Sequence, residues 1–149
     1  MKLYGLIGYP LGHSFSQKYF TEKFTTEKNE DAIFKLFSIA SLDEFPTLLA
    51  NNPLMCGIAV TIPYKEKILR YLNSISNTAL AIGAVNCIKV DAKGLFGYNT
   101  DVVGFEQSLI PLLKSSHKNA LVLGSGGGSK AVQFVLKKLG ISYKLVPSS

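Results

Sequence analysis

The 149-residue chain is 47% hydrophobic and 17% charged, enough apolar material to bury one core and too much for a disordered polypeptide. Its net charge of +6 rests on 15 scattered lysines and one arginine, Arg70, which speaks against the clustered basic surface of a nucleic-acid binder. No apolar run reaches the roughly 18 residues of a membrane span, and Met1-Lys2-Leu3-Tyr4-Gly5 is too short and glycine-broken for a secretory signal, so the expectation is a cytoplasmic protein.

In chain order, Leu3–Gly8 is a short apolar run ending in glycine, the pattern of a buried strand. Phe15–Lys28 carries Phe20 and Phe24 four residues apart and predicts a helix with one apolar side. Ala32–Ile39 alternates like a strand, with apolar residues on both faces. Ser41 and Glu44 have the spacing of a capping box, followed by a helix over Phe45, Leu48 and Leu49 that tolerates Pro46 only in its first turn.

Cys56–Ile62 predicts another strand, and Pro63 then opens a helix whose buried side carries Ile68, Leu69 and Leu72. Ala84–Val90 and Leu95–Tyr98 flank Asp91-Ala92-Lys93-Gly94, a hairpin turn. From Val102, Phe105, Leu109 and Leu112 recur at helical spacing until Pro111 disturbs the last turn. Ser115–Asn119 is a polar linker. Ala120–Leu123 is again strand-like, Gly124-Ser125-Gly126-Gly127-Gly128-Ser129 a turn, and Lys130–Leu139 a helix with Gly140 as its cap. This order predicts an α/β fold with a mainly parallel sheet, then a second unit of strand, turn and helix.

Four stretches carry chemistry. In the glycine turn, Gly124 permits a tight turn, Gly126 the close approach of a pyrophosphate, and small Ser129 the packing of helix on strand. The following helix offers unpaired N–H groups and a positive dipole end, so a nucleotide cofactor is expected. Lys144–Ser149 contains no acid to grip a ribose, which favours NADP over NAD, but also no arginine for a 2′-phosphate. Ser14 and Ser16 follow the first strand, where two hydroxyls suit one carboxylate; Ser14 with Gln17 fits a capping box equally well.

Thr61 ends a strand, and Lys65 falls on the first turn of the helix predicted after it. A lysine there opposes the helix dipole and calls for a reason, although a solvated lysine beside Lys67 and Arg70 is the plainer reading. Asn86, after apolar Ala84-Val85, needs a partner if buried. Asp101 suits either a cap for the long helix or a carboxylate paired with Lys65, and such a pair at a crevice rim is a sign of proton transfer. Cys56 and Cys87 have no metal-ligand spacing and read as reduced thiols, and no metal is expected.

Together, Gly8-x-Pro10-x-x-His13-Ser14-x-Ser16, Val60-Thr61-x-Pro63-x-Lys65, Gly83-Ala84-Val85-Asn86 and Gly97-x-Asn99-Thr100-Asp101-x-x-Gly104, followed by the glycine turn, resemble the amino-terminal part of the shikimate dehydrogenases. The resemblance implies a substrate-binding domain over residues 1–101, then over 102–149 a connecting helix and the start of an incomplete Rossmann-type NADP domain. It implies that Ser14 and Ser16 bind the carboxylate of shikimate, and that Thr61, Asn86 and Asp101 bind its hydroxyls. Lys65 is then the proton-transfer residue with Asp101 beside it, and Gly124 to Ser129 hold NADP.

The implied reaction is the NADPH-dependent, reversible reduction of 3-dehydroshikimate in aromatic amino acid biosynthesis. Quinate/shikimate dehydrogenases share these motifs, and a non-catalytic shikimate-binding module is the reading from another class. Ala59 stands where the family usually has Asn, and the arginine expected near Pro147-Ser148-Ser149 is missing. The rest of the nucleotide domain that the resemblance implies is also missing, so the chain reads as the front of a longer enzyme, a poor catalyst or none alone. Apolar surface around Leu121, Leu123, Phe134 and Leu145 is expected to be exposed and to drive self-association.

Overall fold

In the computed structural model, residues 1–12 and 14–147 are described; His13, Ser148 and Ser149, which fall within two of the motifs above, lie outside them. β1 (Lys2–Gly8) is buried along nearly its whole length, as its unbroken apolar run requires of a central strand. α1 (Ser16–Thr26) returns to β2 (Ala32–Ser38), which pairs parallel to β1. Phe20 of α1 stacks on Phe34 of β2 with ring centroids 4.5 Å apart, which seats the helix on that edge of the sheet. The expected capping box forms at Ser41 and Glu44, over a short 3₁₀ turn that leads into α2 (Phe45–Ala50) with Pro46 in its first turn.

β3 (Met55–Val60) lies parallel to β1 on its other side. The helix expected from Pro63 does not form; a 3₁₀ segment spans Lys67–Tyr71 instead, and Lys65 lies in the turn before it. The reason is a competing hydrogen bond. An α-helical turn would direct the N–H of Leu69 to the carbonyl of Lys65, but that carbonyl accepts from Val85 N–H at 2.8 Å, and Leu69 donates to Glu66 instead. The dipole conflict expected for Lys65 therefore does not arise.

β4 (Ser74–Ile75) and α3 (Asn77–Ile82) follow, neither foreseen from the sequence. α3 nevertheless has ordinary start and stop signals: Ser76 accepts from Ala79 N–H, and Gly83 ends the helix at φ +71°. β5 (Cys87–Asp91) and β6 (Gly94–Tyr98) form the hairpin. The six-stranded sheet runs β2-β1-β3-β5-β6-β4, with its parallel pairs at β1–β2, β1–β3 and β4–β6. Phe45, Ile7, Ile58, Ile68, Val85 and Ile88 are fully buried at the centre of its main core.

α4 (Asp101–Leu109) ends in a 3₁₀ turn at Pro111 and leads to β7 (Asn119–Leu123). α5 (Gly127–Lys138) starts three residues before the expected Lys130, so Gly127, Gly128 and Ser129 form its first turn. β8 (Ser142–Val146), also unforeseen, pairs parallel to β7, making this unit a βαβ element rather than strand, turn and helix alone. Ala131 and Val135 of α5 are buried with Ile82, Ala84 and Val102, so α5 is joined to the first unit through a common apolar cluster. Phe134 packs partly against that cluster rather than lying exposed, whereas Leu121 and Leu123 are 61% and 74% exposed. Among the described residues, no helix is long and apolar enough to cross a membrane.

Candidate functional site

The polar residues singled out in the sequence collect into two groups at the carboxyl ends of β1 and β3. The first is a cleft of about 390 Å³ lined by Tyr9, Pro10, Ser14, Ser16, Thr61 and Ile62, with Leu6 and Leu11 beneath. Backbone pairing builds it: Thr61 N–H donates to Ile7 O at 2.9 Å, and Tyr9 N–H donates to Ile62 O at 3.0 Å, binding the two loops together. The alternative of a Ser14–Gln17 capping box is not realised. Phe15 is the N-cap of α1 without a side-chain bond, and Ser14 Oγ instead accepts from Ser16 N–H at 3.3 Å. Ser14 and Ser16 both line the same small cleft as Thr61.

The second group is a hydrogen-bonded chain of Lys65, Asp101 and Asn86. Lys65 Nζ donates to Asp101 Oδ2 at 2.7 Å, and Asn86 Nδ2 donates to Asp101 Oδ1 at the same distance. The Asn86 side chain also receives Thr100 N–H at 2.8 Å and donates to Thr100 Oγ1 at 2.9 Å, so it clamps the start of α4. Asp101, in the first turn of α4, gains from the positive end of that helix as well. The side chains of Lys65 and Asp101 are only 16% and 32% exposed, which excludes the plain solvated lysine. The turn in which Tyr64 N–H donates to Thr61 O, at 2.9 Å, links the two groups.

Neighbouring residues make the frame stiff. Tyr64 is buried and donates its phenol hydrogen to Ile39 O at 2.6 Å; burial, with Glu44 adding, pushes its pKa up. Asn99 Nδ2 donates to the Ala84 carbonyl at 2.9 Å, holding β6 to the strand entering from α3. Ala59 packs with Leu6, Leu11 and Phe34 in an apolar environment. Cys56 and Cys87 are both free, and burial raises the Cys87 thiol, which counts against a nucleophilic role.

The glycine turn lies on the second unit. Gly124 has φ +97°, where an L side chain is strained, and a Cβ added at Gly124, Gly126 or Gly128 would meet nothing within 4 Å. That open, side-chain-free backbone in front of a 12-residue helix fits the approach of a phosphate group. Ser129 Oγ donates to Gly126 O at 2.8 Å and tightens the turn, and Ser125 is exposed beside it. Gly127 differs from its neighbours: it faces Lys65 and Ala84. Sequence reasoning missed this contact, as it missed the Lys130–Glu66 ion pair. The part played by Thr100 was legible only as one letter of the Asn99-Thr100-Asp101 motif.

The fold and site thus define an α/β unit with a polar cleft, joined to a glycine-turn βαβ unit. A model of the shikimate dehydrogenase substrate-binding domain matches residues 6–88, and the chain belongs to that family. The NADP(+)-dependent shikimate dehydrogenase of Aquifex aeolicus is 38% identical over 146 residues, covering 93% of this chain and 52% of that protein. Its crystal structure superposes with a TM-score of 0.88 at 36% identity, covering all of this chain and 56% of the other. The Thermus thermophilus enzyme, solved with NADP(H) and shikimate, superposes with a TM-score of 0.85 at 30% identity over 97% of this chain and 55% of that one. The chain spans about half the length of the curated relatives it matches.

Proposed function

We propose that this chain carries the substrate half, and the opening of the cofactor half, of a cytoplasmic NADP-dependent shikimate dehydrogenase. The observation that carries this reading is the Lys65–Asp101–Asn86 chain of hydrogen bonds beside a cleft lined by Ser14, Ser16 and Thr61. The two serine hydroxyls donate to the carboxylate of shikimate. Thr61, Asn86 and Asp101 take its ring hydroxyls, which requires Asp101 to accept from the ligand while it holds Lys65.

Residues 124–129 fit NADP through their open glycine backbone, and the chemistry supplied by NADPH when bound is a hydride for the C3 carbonyl of 3-dehydroshikimate. Lys65, as an ammonium, stabilises negative charge growing on the C3 oxygen and delivers one N–H proton to it, leaving a hydroxyl. Asp101 holds the Lys65 amine toward that oxygen, and in the reverse direction the amine takes the proton back. Residues 1–101 form the substrate unit and 102–149 the cofactor unit.

The test is a calorimetric titration of shikimate into the purified chain. Saturable binding that is lost in Ser14→Ala/Ser16→Ala is expected. A folded chain that binds no shikimate, or a serine variant that binds as well as the parent, overturns the assignment. Preference for quinate in the same titration would move the substrate within the class.

We also propose that the outward face of β7 and β8, with Leu121, Leu123 and Val146, drives self-association, because among the described residues each of these strands pairs only with the other; Leu145, in register with buried Val122, lies on the inner face instead. A sedimentation coefficient independent of concentration would refute that.

A further inference from the structure

We infer that Gly127 and Lys130, on the first turn of α5, are positioning residues for Lys65, so that the helix behind the glycine turn aims the lysine at Asp101. The inference rests on the reading of Lys65 as the proton-transfer residue, but it comes from contacts which that reading does not use. A Cβ built on Gly127 would stand 2.8 Å from Lys65 Cβ, 3.4 Å from Lys65 Cδ and 3.6 Å from Ala84 Cβ. The backbone of α5 therefore lies directly against the aliphatic stem of Lys65.

The backbone of Lys65 is fixed as well. Its own carbonyl is held by Val85 N–H at 2.8 Å, and Ala84 is fully buried. Unlike Gly124, Gly127 does not have a left-handed backbone, so its conformation gives no reason for glycine. Glycine also weakens the helix in which it sits. The close approach to Lys65 supplies the reason, and Gly128, one residue further on with open space around it, makes no such contact.

A second tie lies beside the first. Lys130 Nζ donates to Glu66 Oε2, on the residue next to Lys65, and reaches within 3.9 Å of the Cβ position of Gly83 at the end of α3. The turn carrying Lys65 and Glu66 is thus gripped from α5 by packing on one residue and by charge on the next. With its stem held in this way, the amine of Lys65 is directed to Asp101 Oδ2. Any displacement of α5 is passed to the ion pair.

The experiment measures site-specific acetylation of the folded chain by acetic anhydride, read by mass spectrometry and normalised to exposed Lys18. Gly127→Ala is expected to raise Lys65 labelling about tenfold, the lower end of what losing one charge-assisted hydrogen bond implies, with the lysines outside α5 unchanged. Gly128→Ala, with the same change of composition in the same turn, leaves Lys65 labelling unchanged. Lys130→Met and Glu66→Gln raise it about twofold, as loss of a half-exposed ion pair implies, and Lys130→Arg restores the parent rate.

Equal effects of Gly127→Ala and Gly128→Ala, or unchanged Lys65 labelling in folded Gly127→Ala, overturn the inference. If Gly127→Ala does not fold, the Lys130 and Glu66 variants decide, and failure of Lys130→Arg to restore the rate overturns it. A parent chain that shows this labelling pattern but binds no shikimate would overturn the functional reading and leave the positioning role standing.

Discussion

Lys65→Met and Asp101→Asn, made singly and together, test whether the central ion pair is a designed contact or an ordinary surface bridge. The two charged groups meet at 2.7 Å with 16% and 32% of their side chains exposed. A hydrogen bond to a charged group contributes about 1.5–3 kcal/mol, and an exposed ion pair about 0–1 kcal/mol. With this degree of exposure the coupling falls between, at about 1–2 kcal/mol. The single variants should differ. Lys65→Met leaves Asp101 with the Asn86 amide and the positive end of α4, and costs about 1 kcal/mol or less. Asp101→Asn strands a largely buried ammonium and costs about 2 kcal/mol. Urea unfolding of the four proteins at pH 7, followed by circular dichroism, yields the cycle. A coupling below about 0.3 kcal/mol, or Lys65→Met costing more than Asp101→Asn, would refute the reasoning.

Two further outcomes are expected. Tyr64 is 3% exposed and its pKa is raised by burial, so the folded state holds the phenol proton more tightly than the unfolded chain does. Its contribution is full below the unfolded value of about 10 and is lost as pH rises beyond it; urea titrations from pH 8 to 11 should therefore fall less steeply for Tyr64→Phe than for the parent. Phe45 is fully buried and meets Tyr71 edge to face at 5.6 Å, so Phe45→Ala should cost about 3–5 kcal/mol; a loss under about 1 kcal/mol in the same unfolding assay would mean that the core collapses around the gap.

Much of the scaffold was legible because its signals are local. The apolar run Leu3–Gly8, the Ser41–Glu44 box, the hairpin at Asp91–Gly94 and the disturbance at Pro111 all depend on residues within a few positions of one another. β4, α3 and β8 were harder to read because short elements carry little periodicity, even though Ser76 and Gly83 mark both ends of α3. The helix expected after Pro63 failed for a reason that no local window contains: the Lys65 carbonyl is taken by Val85, 20 positions away in the chain.

The sequence by itself determined the inventory: which hydroxyls, which lysine and carboxylate, and which glycines are at hand, and in what order. Residue type and spacing along the chain set these, and spacing also limits what each short segment can form. Only the tertiary structure decided that Lys65 meets Asp101 across 36 positions, that Asn86 clamps the entrance to α4, and that Gly127 rests on the stem of Lys65. Those contacts depend on how β3, β5 and α5 come together in space, and a non-local hydrogen bond or close packing contact leaves no periodic trace in the residues that make it.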